Sequence, residues 1–245
     1  MKSKNFSLLA SKLIELKHRI KVSCDKNSVK DSSIKILAVS KKKSVNDIKT
    51  AISIGLKNFG ENYLTEAIEK KNVLALRSSY DDIEWHYIGS IQKNKTKKLA
   101  ENFDWIHSVD RFEVAQRLSD QRPVDMKALK IFLQVNIDNE SNKSGVKIEE
   151  TKKLAIEVSK LPRLHLCGLM AIPRANTLIT DQRRSFKELK KIKNDINKST
   201  DVKVKLKSLS MGMSADLEAA IAETDPNTVT WLRIGTALFG ERSQI

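Results

Sequence analysis

A chain of 245 residues with 40% hydrophobic and 31% charged residues has the composition of a globular protein, not of a disordered one. Its formal net charge is +15, yet the lysines are spread among acidic neighbours, aromatics are only 5%, and no recognition helix, finger or base-stacking signature is present. The charge therefore reads as solvated helix faces, no stretch reaches the roughly 18 apolar residues of a membrane span, and neither nucleic acid nor a membrane is an expected partner.

The predicted elements begin with a helix, because Phe6, Leu9, Leu13, Leu16 and Ile20 recur at spacings of three and four. The N-terminus does not read as a secretory signal, since Lys12, Glu15 and Lys17 interrupt its apolar run. Strand-like runs follow at Ile34–Ser40, Asn58–Gly60, Trp85–Ile88, Trp105–Ser108, Lys130–Asn136, Leu164–Met170, Lys205–Ser210 and Trp231–Gly235. Amphipathic helices separate them. One carries Thr151, Leu154, Ala155, Val158 and Leu161; another carries Phe186, Leu189, Ile192 and Ile196. Parallel neighbours require crossover connections, so this alternation implies a parallel sheet. Eight rounds in a chain close to the roughly 250 residues of a (β/α)8 fold predict one closed TIM-like barrel with an extra N-terminal helix. Residues 1–245 read as a single domain, with the polar stretch 136–145 as a loop and no second domain after the eighth strand. Cys24 and Cys167 lie far apart, in no metal-ligand spacing, and fit a reduced cytoplasmic setting.

The carboxyl edge of such a barrel is where sites are built. Lys41, Glu61, Asn62, His86, His107, Asn136, Ser210 and Ser214 all fall near predicted strand ends. Lys41 follows the first strand, where partial desolvation and neighbouring charge can make its amine a nucleophile toward carbonyls. Because Lys42 and Lys43 come next, the same run also reads as a solvated basic turn. The seventh strand runs into Ser210-Met211-Gly212-Met213-Ser214 and the eighth into Arg233-Ile234-Gly235-Thr236. Loops at these two places often bind phosphate. Ser214 is placed to cap the helix at 215–221 and lend a hydroxyl, Gly235 permits close approach, and Thr236 adds a second hydroxyl; Asp216 would compete with an anion. Together with a lysine across the barrel, the loops favour a phosphorylated aldehyde.

Further segments extend the pattern: Ala38-Val39-Ser40-Lys41, Phe59-Gly60-Glu61-Asn62-Tyr63, Trp85-His86-Tyr87-Ile88-Gly89, Gln92-Lys93-Asn94-Lys95, Asn142-Lys143-Ser144-Gly145 and Gly168-Leu169-Met170-Ala171-Ile172. Through these and the two terminal loops the chain resembles the pyridoxal phosphate homeostasis proteins over nearly its whole length. The resemblance implies a type III pyridoxal-phosphate fold, a barrel like the N-terminal domain of alanine racemase. It also implies a reversible Schiff base on Lys41, with Ser214, Gly235 and Thr236 holding the phosphate and Arg233 facing the pyridine nitrogen. Asn62 and Met213 complete the cofactor-binding set. Lys143 is a candidate secondary or transfer site, although an ordinary loop-ordering lysine also fits there. Asp225-Pro226-Asn227 departs from the family pattern by lengthening the approach to the eighth strand.

The resemblance implies a role in intracellular vitamin B6 homeostasis without catalytic turnover, with pyridoxal-phosphate-dependent apo-enzymes as recipients of the cofactor. An arginine at the ring nitrogen opposes its protonation and weakens the ring as an electron sink. The alternative is a racemase-like enzyme, which needs acid and base groups on both faces of its substrate. Tyr63, Tyr87, His86 and His107 are the nominees. In alanine racemase-like enzymes one such group comes from an additional domain and a partner subunit, so a chain without that domain is expected to be a monomer.

Overall fold

The computed structural model describes residues 2–76, 82–174 and 178–241, with side chains from residue 6 onward. Eight parallel strands hydrogen-bond in chain order and close into a barrel. They are β1 (Ile34–Val39), β2 (Asn58–Glu61), β3 (Glu84–Tyr87), β4 (Trp105–Val109), β5 (Leu129–Gln134), β6 (Leu164–Met170), β7 (Ser208–Met213) and β8 (Val229–Ile234). The helices are α1 (Lys2–Lys26), α2 (Val45–Ser53), α3 (Leu64–Ala75), α4 (Thr96–Asn102), α5 (Phe112–Gln121), α6 (Ile148–Val158), α7 (Ile179–Lys198), α8 (Leu217–Ala222) and α9 (Thr236–Phe239). The predicted TIM-like barrel is therefore the observed one.

The apolar stripes pack as their spacing requires. Leu154, Ala155 and Val158 of α6 and Phe186, Leu189, Ile192 and Ile196 of α7 are buried, each large side chain contributing about 1.5–3 kcal/mol by leaving water. Leu161 lies just past α6 and is only partly buried. On α1 the buried stripe runs through Leu9, Leu13, Leu16 and Ile20, whereas Phe6 is 45% exposed.

Element boundaries move where the sequence signal is weakest. The seventh strand, read as Lys205–Ser210, is instead Ser208–Met213, so Met211-Gly212-Met213 is strand and not loop. Gly212 adopts φ +85, and a Cβ there would meet Ala220 Cβ at 2.6 Å, which explains a glycine within a strand. Residues 135 and 136 fall beyond β5, and Gly235 falls beyond β8 as the residue capping α9. The Asp225-Pro226-Asn227 segment docks on α7: Asn194 Nδ2 donates to Asp225 Oδ2 at 3.1 Å, and Lys193 Nζ does so at 3.4 Å.

Alternation along the strands sends Leu37, Trp105, Phe132, Met170 and Trp231 into one apolar cluster, separate from the larger core under the helices, and the register shift of β6 against β5 adds Cys167. Two residues further along their strands, toward the carboxyl ends, His107 follows Trp105 and Arg233 follows Trp231. Strand periodicity alone therefore carries an apolar layer into a polar one.

Candidate functional site

The turn after β1 is held from several sides. Ser40 N donates to the Gly60 carbonyl at 3.0 Å, extending the pairing one residue beyond the strand. Ser40 Oγ donates to Glu61 Oε1 at 2.7 Å. Lys70 Nζ, from α3, donates to Glu61 Oε1 at 2.8 Å, to the Ser40 carbonyl at 2.8 Å and to Glu66 Oε1 at 2.6 Å. Lys42, at φ +59, donates its backbone N–H to the same Glu66 oxygen at 2.6 Å. Lys43 Nζ reaches the carbonyls of Phe239 at 3.2 Å and Glu241 at 3.3 Å. Lys42 is the solvated residue of the triplet, while Lys41 and Lys43 are partly buried. Burial pushes the Glu61 carboxyl above its ordinary range, with Lys70 and Ser40 opposing that shift.

The segment after β8 meets this turn directly. β8 pairs with β1, Ala38 opposite Ile234, and a Cβ on Gly235 would lie 3.6 Å from Val39 Cβ. The eighth-strand loop is therefore beside the Lys41 strand and not across the barrel, because closure makes the first and last strands neighbours. Ser214 Oγ accepts from the Ala237 N–H at 3.2 Å, joining the loops after β7 and β8. Ser214 does not cap α8. That position belongs to Asp216, whose carboxylate makes no cap bond and turns back to accept from the Met213 N–H. Burial raises the Asp216 carboxyl, with the Met213 N–H and Arg233 opposing. Met213 is 36% exposed, and Thr236 is exposed at the start of α9.

Asn62 follows β2, and a Cβ on Gly89 would meet its carbonyl oxygen at 2.2 Å, so the chain leaving β3 presses against it. Asn62 Oδ1 is buried with no hydrogen-bond partner among the described residues. Beside it a cleft of about 480 Å³ is lined by Asn62, Tyr63, Tyr87, Gly89, Gln92 and Lys95. Lys143 ties two other loops together, donating to the Pro173 carbonyl at 3.3 Å and pairing with Glu140. Loop ordering is the role its contacts describe.

His86, His107 and Ser210, expected at the barrel edge, are instead fully buried inside it. Arg233, 4% exposed, donates from Nη1 to Ser210 Oγ at 2.9 Å and from Nη2 to the Ala171 carbonyl at 3.0 Å. Ser210 Oγ lies 2.8 Å from His107 Nδ1, His107 Nε2 lies 3.0 Å from His86 Nδ1, and His86 Nε2 lies 3.2 Å from Asn58 Oδ1. His86 also stacks on Trp105, with ring centres 5.2 Å apart. Burial pushes the Arg233 guanidinium down to about 10, against the pull of Asp216, and leaves it charged at neutral pH. Burial also drives both imidazoles well below the ordinary histidine value.

Sequence reading missed Lys70, Glu66 and Asn58. Glu66 and Lys70 stand four apart, a spacing shared by many surface pairs on this lysine-rich chain. Among the described residues no group of three or more histidine, cysteine or acidic side chains could hold a metal ion. Cys24 and Cys167 are buried, and burial pushes their thiols up to about 11 and about 12, so neither is a ready nucleophile.

A family model described as the alanine racemase N-terminal domain matches residues 13–243. A pyridoxal phosphate homeostasis protein from Pseudomonas aeruginosa is 44% identical over 236 residues, covering 96% of each chain. The protein of that name from Escherichia coli K12 is 38% identical over 234 residues, covering 96% of this chain and 97% of its own. PipY of Synechococcus elongatus, solved both without PLP and with PLP bound, superposes with TM-score 0.81 at 31% identity, covering 95% of this chain and 100% of PipY. Alanine racemase from Corynebacterium glutamicum superposes with TM-score 0.69 at 14% identity, covering 96% of this chain and 62% of the racemase, a likeness of fold.

Proposed function

The chain belongs to the pyridoxal phosphate homeostasis family, built on the alanine racemase N-terminal barrel, and on that premise we propose that it binds pyridoxal 5'-phosphate in vitamin B6 homeostasis, holding it reversibly through Lys41 without catalytic turnover. The observation that carries this reading is the adjacency of the clamped Lys41 turn to the β8 end bearing Arg233 and Gly235. An amine, a buried cation and an open backbone loop stand on neighbouring strands.

The residues fit the cofactor on a second ground. Gly235 has φ −110, and no protein atom comes nearer than 3.6 Å to a Cβ built on it. Internal packing does not demand glycine there, whereas a phosphate close to the backbone does. Ser214 and Thr236 would supply hydroxyls to that phosphate, Met213 and Asn62 would line the ring's surroundings, and Arg233 would face the ring nitrogen. When bound, the cofactor supplies an aldehyde that a neutral amine can capture and that hydrolysis or another amine can release. A cationic Arg233 keeps a proton off the ring nitrogen, which favours storage over carbanion chemistry.

Three of the four groups a racemase-like enzyme would use are committed elsewhere, whereas Tyr63 is half exposed at the cleft beside Asn62. His86 and His107 bond each other inside the barrel, and Tyr87 Oη donates to the Ser90 carbonyl at 3.0 Å. Recipients of the cofactor would be apo-enzymes of the cytoplasm, met by a monomer; nucleic acid and membranes have no part, and no helix among the described residues is long and apolar enough to cross a membrane.

The test is an absorbance spectrum of the purified protein loaded with pyridoxal phosphate, before and after borohydride reduction. The wild type should show a yellow band and a reduced adduct at Lys41, Lys41→Ala should show neither, and D- or L-alanine should not be turned over. Retention of both signals by Lys41→Ala would move the attachment point to another lysine.

A further inference from the structure

We infer that Ser210, His107, His86 and Asn58 form a one-way hydrogen-bonded chain through the barrel interior that fixes Arg233 in place, making Ser210 and His107 positioning residues for that arginine. Its direction follows from the two ends independently. A guanidinium only donates, so Ser210 Oγ accepts from Arg233 Nη1 and has its own hydrogen left for His107 Nδ1. An amide oxygen only accepts, so His86 Nε2 must donate to Asn58 Oδ1. A neutral imidazole that donates at one nitrogen accepts at the other, so His86 Nδ1 accepts from His107 Nε2.

Both ends therefore demand the same tautomer, with the hydrogen on Nε2 in each ring. The reverse direction would leave Ser210 Oγ accepting twice and its hydroxyl hydrogen without an acceptor in the chain. Ser210, His107 and His86 are all 0% exposed, so bulk water is not at hand to repair such a mismatch. The Ala171 carbonyl holds the second guanidinium nitrogen, which leaves the arginine further N–H groups for a ligand but little freedom to swing. A chain in which every hydrogen is assigned also leaves neither histidine with a free acid or base function. The consequence for pyridoxal phosphate rests on the function proposed above; the tautomers do not.

The experiment has two arms. Nitrogen-15 NMR of cofactor-free protein at pH 7 should show the rings of His86 and His107, identified among the chain's four histidines by Ser210→Ala and His107→Gln, as neutral imidazoles protonated at Nε2. A cationic ring, or protonation at Nδ1 in either, overturns the inference whether or not the protein binds cofactor. In the second arm Ser210→Ala, which deletes a single hydroxyl, should shift the His107 signal, weaken pyridoxal phosphate retention roughly tenfold and move the absorbance band; a hydrogen bond to a charged group commonly carries that much. Ser210→Thr should restore all three. If Ser210→Ala leaves the His107 signal and the retention unchanged, Ser210 does not position Arg233. Should the wild type take up no pyridoxal phosphate, the proposed function fails while the first arm still decides the tautomers.

Discussion

The Lys70 ammonium and the Glu61 carboxylate meet at 2.8 Å, neither side chain more than 6% exposed, with Ser40 bonded to both. They connect α3, β2 and the turn that carries Lys41, so one ion pair controls where that turn sits. Removing one partner leaves a buried charge uncompensated, at a cost of about 3–5 kcal/mol. Lys70→Met should lower the urea midpoint accordingly and reduce borohydride-trapped cofactor at Lys41. Pairing it with Glu61→Gln should recover much of the stability but not the trapping, because the neutral pair no longer holds the Ser40 carbonyl. Equal recovery of both would make the pair a stability device only.

Two glycines should separate packing from binding. A Cβ at Gly168 would lie 1.7 Å from the Ser208 carbonyl oxygen, so Gly168→Ala must push β6 from β7. Its cost should reach or exceed the about 1–3 kcal/mol of ordinary overpacking, read as a lower melting temperature. At Gly235 the nearest atom is 3.6 Å away. Gly235→Ala should therefore keep stability within about 1 kcal/mol, the scale of a weakened helix cap. It should nonetheless lose pyridoxal phosphate affinity by tenfold or more, measured by equilibrium dialysis. A destabilised Gly235→Ala would mean the glycine serves the fold.

Lys143 gives the converse case. Its side chain is 34% exposed and bound to Glu140 and the Pro173 carbonyl. Lys143→Ala should lower stability by about 1–3 kcal/mol, as expected when a buried carboxylate oxygen loses its charged partner. Reduction of the loaded variant should still place the adduct on Lys41. Loss of trapping in Lys143→Ala would assign that lysine a part in loading the cofactor.

The barrel was legible because its signals repeat. Eight apolar runs alternate with helical stripes, and the stripe through Phe186, Leu189, Ile192 and Ile196 needs no tertiary information to be read. The start of β7 was missed because Lys205 and Lys207 alternate with Leu206 as a strand would, while Gly212 reads as a turn residue until its close approach to Ala220 is seen. Ser214 reads as a helix cap on local grounds, and only the neighbouring β8 loop reveals that its hydroxyl serves Ala237. The chain from Arg233 to Asn58 draws one residue from each of five strands or strand ends. No sequence spacing encodes it, and closure of the barrel creates it. Lys70 was hidden for a different reason: on a chain of +15 net charge, a buried lysine looks like every exposed one.

The two interior histidines should also set the acid limit of the fold. Burial keeps the folded-state values of His86 and His107 well below 6.5, whereas an unfolded histidine takes up its proton near 6.5. Below that pH the unfolded state binds more protons than the folded one, so stability is full above about 6.5 and falls as the pH drops toward the folded-state values. Each histidine contributes a slope approaching about 1.4 kcal/mol per pH unit. Glu61 acts with the opposite sign: its raised carboxyl keeps a proton in the fold at pH values where the unfolded chain has lost it, so its share of stability is fully present below the unfolded value near 4.5 and is lost as the pH rises through the folded one. Urea midpoints at pH 7.5, 6.5 and 5.5 should therefore change little over the first interval and fall over the second in the wild type. They should decline with about half that slope in His107→Gln and steepen in Glu61→Gln, wherever the Glu61 window overlaps the range. An unchanged slope in His107→Gln would mean that the imidazole takes up its proton inside the folded barrel.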